Sequence, residues 1–410
     1  MEQERTYNHI SKKPVIQSIT GRPNPLKSSK GGEQARLNRE HRHLGRGVCS
    51  NRTGRFEAYQ KIEEPEFPFG EQSYDKTDNQ TRVFHDATKT IITKNDSPDI
   101  PFKKSINAYR GCEHGCVYCF ARPTHTYLGL SAGLDFERHI MMKSNAAALL
   151  EQELADPNYT VTPLAMGTNT DPYQPIEKQH KITRQLLEVL NRFNHPCSIV
   201  TKNKLIVRDI DLLSEMAAKG LVKVYVSVTT VDPKLARVLE PRASSPQKRL
   251  DAIRLLSDAG IPTGAMFAPI IPAINDMEME QVLEAVKHAG AKEVAYILLR
   301  LPLEVAGLFS EWLTAYFPDR KERVLSRLKA MRGGRVNDPR FKHRMKGKGF
   351  EAEMLKRRFE VHCRRLRLNI GEQAHETKED ALNSCPVKFT VPADVRSRQD
   401  RSSGQLNLFA

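Results

Sequence analysis

Beyond residue 100 the chain alternates short apolar runs with longer segments in which apolar side chains return every three or four positions. The runs at 105–109, 162–166, 198–201, 223–228, 263–267 and 294–299 predict six strands. Between them, Ala146, Leu149, Leu150 and Leu154 mark a helix face, as do Ile182, Leu186, Leu187 and Leu190. Residues 205–219, the set Leu250, Ile253, Leu256, and the pair Val282 and Val286 continue the pattern. Strands alternating with helices call for parallel strands joined by helical crossovers, so the expected class is α/β.

The pattern changes on either side of this block. Residues 1–55 are polar, basic and rich in Gly, Pro and Ser, with no period, which predicts a disordered or extended arm. In 56–102, Thr81-Arg82-Val83-Phe84 and Lys89-Thr90-Ile91-Ile92-Thr93 alternate enough for strands and predict a small β-rich lead-in. The core is expected over 103–305, a basic helical extension over 306–370, and a tail over 371–410.

Charge and cysteine usage narrow the class. The chain has 410 residues and a formal charge of +15, and residues 320–370 alone hold 18 Lys and Arg against 5 Asp and Glu. Such a basic stripe is the footprint of a phosphate-backbone binder, DNA or RNA; a solvated helix face is the alternative. There is no apolar run long enough to span a membrane and no leader-like segment after Met1, so the expected location is the cytoplasm. Seven cysteines, an odd number with three in one short run, do not describe a disulfide framework.

That run is Cys112-Glu113-His114-Gly115-Cys116-Val117-Tyr118-Cys119. Three thiolates at C-x3-C-x2-C spacing can ligate three irons of a cubane cluster and leave the fourth open, whereas electron-carrier clusters take four cysteines. The alternative is zinc, with His114 or His125 as fourth ligand. Zinc sites take a second C-x2-C pair from farther along the chain, and Cys49, Cys197, Cys363 and Cys385 are scattered singly.

The spacing, with Tyr109-Arg110-Gly111 ahead of it, resembles the radical S-adenosylmethionine superfamily. The segment Met166-Gly167-Thr168-Asn169-Thr170-Asp171-Pro172-Tyr173-Gln174-Pro175-Ile176-Glu177 is similar to the branch containing spore photoproduct lyase, a DNA repair enzyme. The resemblance implies a partial (β/α)6 TIM-type barrel and one 4Fe-4S cluster on Cys112, Cys116 and Cys119. It also implies S-adenosylmethionine on the open iron, a donor such as flavodoxin or ferredoxin, and a 5′-deoxyadenosyl radical that abstracts hydrogen from a substrate.

It further implies cofactor contacts at strand ends. Thr168, Asn169 and Asp171 would accept from the amino group, or else serve a strand-to-helix turn. Lys202 and Ser227 would meet the carboxylate and ribose, with Thr229 beside them. Tyr118 would pack near the adenine as a catalytic-site residue, or buttress the cluster. Arg242 would pair with Glu240 over the site, or form a loop salt bridge. In the lyase a cysteine within the barrel quenches the product radical and tyrosines flank the third cluster cysteine. Here no cysteine lies between Cys119 and Cys197, and Phe120 follows Cys119. Repair of the spore photoproduct is therefore not expected.

Near the carboxyl end, Gln405-Leu406-Asn407-Leu408-Phe409 resembles the peptide by which bacterial replication and repair proteins dock on the DNA sliding clamp. A polar anchor followed by a Leu-Phe wedge can fill a preformed apolar pocket, ordering on binding.

Overall fold

The computed structural model describes residues 45–57, 80–370 and 388–396. All six expected strands form, as β3 (Lys104–Ile106), β6 (Leu164–Met166), β7 (Cys197–Thr201), β8 (Val222–Ser227), β9 (Thr263–Ile270) and β10 (Glu293–Leu298). They lie parallel in chain order, β3-β6-β7-β8-β9-β10, in one open sheet, so the barrel is partial and its first and last strands are not paired.

The crossover helices are α1 (Ala146–Ala155), α2 (Ile182–Arg192), α3 (Ile210–Ala218), α4 (Pro246–Asp258) and α5 (Met279–His288). Their apolar faces fold down on the sheet: Leu186, Leu190, Ile253 and Leu283 are fully buried against Ile199, Val224 and Phe267. Burying each such side chain is worth about 1.5–3 kcal/mol, which is why the three- and four-residue spacing could be read so directly.

The lead-in does not stand apart as its own unit. Strand β2 (Ile92–Lys94) adds antiparallel to β3 at the edge of the main sheet. Strand β1 (Arg82–His85) instead joins a second sheet, parallel to β5 (His139–Met142), which pairs antiparallel with β4 (Tyr109–Arg110). The expected strand at 105–109 is split at Asn107, whose side chain turns to Thr168, while Ala108 hands its carbonyl to Lys143. The pairing of β4 with β5 pinches off the cysteine run as a closed excursion from the barrel.

Two further departures bear on the site. Residues 45–57, assigned to the extended arm, pack against the cysteine loop, with Val48 in one apolar cluster with Cys116 and Val117. The basic extension supplies α6 (Glu304–Tyr316), α7 (Lys321–Ala330) and α8 (Phe350–Arg365). Its Phe309 and Trp312 enter that same cluster, and the Trp312 indole donates to the Val238 carbonyl at 3.0 Å. The extension is thus built into the wall behind the site. Residues 388–396 return to the amino ends of the strands, where Phe389 packs against Tyr159, Phe193 and His195. No helix among the described residues is long and apolar enough to cross a membrane. Residues 1–44, Cys385 and the peptide at Gln405, Leu406, Leu408 and Phe409 lie outside the described residues.

Candidate active site

Between β4 and β5 the chain must turn back on itself and still present three thiols inward. Gly111 and Gly115 sit in the left-handed region, and a Cβ at either would approach the His125 ring or the Glu137 carboxylate within 3 Å. A buried Arg122 holds the loop's shape by donating to the carbonyls of Cys116 (3.0 Å), Ala132 (3.2 Å) and Gly133 (3.0 Å) and to the carboxylate of Glu137. That carboxylate also accepts from the backbone amides of Gly47 (3.0 Å) and Val48 (3.3 Å), which ties the 45–57 strap over the loop. Removing one partner of such a buried pair costs about 3–5 kcal/mol.

Cys112 and Cys116 are buried and Cys119 half-buried, and all three are free thiols. Burial pushes the Cys116 thiol up to about 12 and Cys112 well above its usual value, with the nearby charges of Asp171 and Cys116 adding to the effect on Cys112. Thiols placed this way stay protonated unless an electrophile takes the charge, and a metal does so. Among the described residues no three His, Cys, Asp or Glu side chains converge on one ion. A cubane gives each thiolate its own iron, and three thiols at this spacing fit one.

The carboxyl ends of the parallel strands surround the loop, as in other β/α barrels, where reactive groups sit there. After β6, the Thr170 hydroxyl donates to the Gly111 carbonyl (2.6 Å), and Gln174 bridges Thr170, Gly111 and the Glu113 amide. Thr168 bonds the Asn107 side chain at 3.0 Å. Asn169 is exposed at the strand end.

Asp171 departs from its expected part. One carboxylate oxygen accepts from the Thr201 hydroxyl (2.6 Å) and the Tyr173 amide (2.9 Å), the other from the Lys202 amide (2.8 Å) and His114 (3.3 Å). Burial alone would raise its pKa, but His114, Thr201 and Lys202 outweigh it and hold it at about 2. With four donors its acceptor capacity is filled, so Asp171 locks the cysteine loop to β7.

Lys202 directly follows β7, and Ser227 ends β8. The Lys202 ammonium lies 5.9 Å from the Tyr118 ring centre. Burial lowers its pKa, but Cys116, when ionised, and the Glu240 carboxylate more than compensate, so the pKa is raised and the side chain stays cationic. Ser227 is buried, and its carbonyl accepts from Arg249 at 3.1 Å.

Tyr118 and Thr229 are committed elsewhere. The Tyr118 hydroxyl donates to Glu240, and Thr229 donates to the same oxygen at 2.6 Å. Glu240 is paired with Arg249, both fully buried. Burial would raise the Glu240 pKa, yet Arg249 and Lys202 hold it at about 2. Tyr118 is therefore a positioning residue whose phenol stays protonated, and Thr229 secures Glu240.

Arg242 does not pair with Glu240. It bridges Glu113 (3.0 Å) and Thr81 (3.1 Å), and its amide donates to the His114 carbonyl, so it pins the loop from outside. Sequence reasoning missed Glu137, Arg122, Gln174 and Arg249. Gln174 stood inside the quoted motif, and Glu113 inside the cysteine run. Nothing in the sequence marked Arg249, a helix residue among several arginines.

A β/α half-barrel with three free thiols, two buried and one half-buried, in the loop after its first strand and a cation after its third defines a class, and the comparisons agree. The family model described as "Radical SAM superfamily" matches residues 106–286. An uncharacterised protein of Mycobacterium tuberculosis is 36% identical over 314 residues, covering 75% of this chain and 88% of that protein. An uncharacterised protein of Methanocaldococcus jannaschii is 30% identical over 176 residues, 43% of this chain and 63% of that one. The chain belongs to the radical SAM superfamily and is an enzyme of that class.

Solved structures with a similar fold include spore photoproduct lyase complexed with dinucleoside spore photoproduct. It has a TM-score of 0.47 and 16% identity, covering 69% of this chain and 78% of that one. Another is Streptococcus suis SuiB bound to S-adenosylmethionine, with a TM-score of 0.41 and 13% identity, covering 70% and 53%.

Proposed function

We propose that the protein holds a 4Fe-4S cluster on Cys112, Cys116 and Cys119, cleaves S-adenosylmethionine reductively, and directs the resulting radical at DNA or a DNA-associated substrate. The observation that carries the cofactor assignment is Lys202: an ammonium kept charged beside Cys116, at the carboxyl end of the third parallel strand. A carboxylate needs such a partner, and in water-poor surroundings the pairing orients as well as binds. When bound, the cluster and S-adenosylmethionine supply the electron and the 5′-deoxyadenosyl radical.

The chain's own residues bind, orient and exclude water. Lys202 takes the carboxylate and Asn169 and Thr168 face the amino group. Ser227 meets the ribose. Tyr118, fixed through Glu240 to Arg249, forms a rigid apolar wall near the adenine. Wall residues on α6 keep solvent from the loop: Trp312 is fully buried. A nucleic-acid substrate is favoured by the basic extension, where Arg323, Lys329, Lys346, Lys348, Arg357 and Arg364 are exposed and have no carboxylate partner among the described residues. The clamp-like peptide at Gln405, Leu406, Leu408 and Phe409 would deliver the enzyme to replicating DNA.

The test is anaerobic reconstitution with iron and sulfide, reduction with dithionite, and chromatographic assay of 5′-deoxyadenosine with and without DNA. Formation of 5′-deoxyadenosine, stimulated by DNA, is expected. Cys116→Ala should lose both the iron and the product. Full iron retention in that variant would refute the ligand assignment; four bound irons without any cleavage would refute the radical chemistry.

A further inference from the structure

The open side of the half-barrel is crossed by the basic segment between α7 and α8. The Met345 carbonyl accepts from the Leu298 amide at 2.8 Å at the end of β10. Asp99, between β2 and β3, accepts from the Lys342 amide and from Arg344, both at 2.6 Å. Buried Arg332 fastens the near end through the carbonyls of Leu298, Leu299 and Arg344. The segment is therefore a fixed strap that joins the last strand to the first hairpin.

Two rings stand exposed along this opening, Phe120 at 49% and Phe341 at 52%. Single exposed apolar residues are ordinary on a protein surface, but these are not single. The Arg300 guanidinium lies 5.5 Å from the Phe120 ring centre, and that of Arg344 lies 4.8 Å from the centre of Phe341. Arg300 and Arg344 are joined through Met345, whose sulfur is 3.5 Å from an Arg300 nitrogen, and they are close enough to repel, so that burial and then the Arg344 charge lower the Arg300 pKa. The Arg300 Nε is buried without a hydrogen-bond partner among the described residues.

The result is a row, Phe120–Arg300–Arg344–Phe341, that begins one residue from Cys119. Its two cations are offset by the single carboxylate of Asp99. Exposed aromatic rings backed by half-buried guanidiniums suit flat rings, and the surplus positive charge suits a phosphate beside them. Lys342 and Lys346, exposed on the same strap, extend that charge.

We propose that this row is a stacking platform for unpaired nucleobases of a DNA strand, which leads the strand across the open side toward the cysteine loop. This deepens the DNA reading above and rests on it. A base inside a duplex offers no face to such a row, so the ligand is a single-stranded or locally opened segment.

The reconstituted holoenzyme is titrated anaerobically with a labelled oligodeoxynucleotide of about a dozen nucleotides, within the span of single-strand sites. A second oligonucleotide of equal length carries abasic positions at its centre. Stacking is worth about 1–3 kcal/mol per base, or roughly 5- to 150-fold. Phe341→Leu should weaken binding of the intact strand within that range and leave the abasic strand unchanged, and Phe341→Trp should restore the intact strand. Lys342→Ala should weaken both strands by the same factor. Equal effects of Phe341→Leu on both strands, or none on either, would overturn the platform. Basal 5′-deoxyadenosine formation without DNA is read in parallel. Its presence alongside failed base discrimination removes only this inference, whereas discrimination without any cleavage removes the radical reading and leaves the platform.

Discussion

His195 lies fully buried beneath the sheet, its Nε2 2.9 Å from the Tyr159 hydroxyl and its Nδ1 3.0 Å from the Pro196 carbonyl. The carbonyl can only accept, so Nδ1 carries the proton and Nε2 accepts from tyrosine. Burial pushes the imidazole pKa down to about 4 from its usual 6.5, despite the Pro196 carbonyl's opposing effect. Between those values the unfolded chain binds a proton that the folded chain refuses. This stabilisation is complete above the unfolded pKa and falls away as pH drops from 6.5 toward 4. Between pH 7.0 and 5.5 the protein should lose on the order of 1 kcal/mol more stability than His195→Gln does, measured by urea unfolding at both pH values. Parallel losses would show that the ring is not held neutral. At this scale the sequence made residue types legible but not their partners. Asp171, Tyr118 and Thr229 were in view as chemistry. That four donors would saturate Asp171, and that Glu240 would claim both hydroxyls, depends on contacts set by the fold, such as those of Arg249.

The strap over the cysteine loop is an element with no period of its own, so its order had no signature in the hydrophobic pattern. It is held by backbone amides that reach Glu137, 90 residues downstream for Gly47. The six parallel strands were legible for the opposite reason: their apolar runs and the spacing of their crossover helices are local. The strap does contain one position where only glycine fits. A Cβ on Gly47 would sit 1.6 Å from the Gly115 carbonyl oxygen, backbone against backbone, while Gly45 has open space and only a left-handed φ of 77°. Gly45→Ala should cost about 1 kcal/mol of backbone strain and retain iron. Gly47→Ala must lift the strap, leave Glu137 without its two amide donors, and lower both melting temperature and iron per chain after identical reconstitution. Equal iron in the two variants would mean that the strap does not support the loop.

On the scale of the whole molecule, the proposed stacking row and the last described segment before the clamp-like peptide lie at different ends of the barrel. The cysteine loop and the aromatic–arginine row occupy the carboxyl ends of the strands. Residues 388–396 are docked at the amino ends, where the Thr390 amide donates to the Phe193 carbonyl at 3.1 Å. From Arg396 the chain can reach Gln405 over at most about 30 Å when fully extended. Phe409 is the wedge of the proposed peptide, and truncating such an anchor typically costs 2 kcal/mol or more. Phe409→Ala should therefore weaken retention on an immobilised sliding clamp by roughly 30-fold or more, with 5′-deoxyadenosine formation on a free oligonucleotide measured alongside to separate lost docking from lost folding. Undiminished retention would assign the tail another task and leave the basic extension as the sole route to DNA.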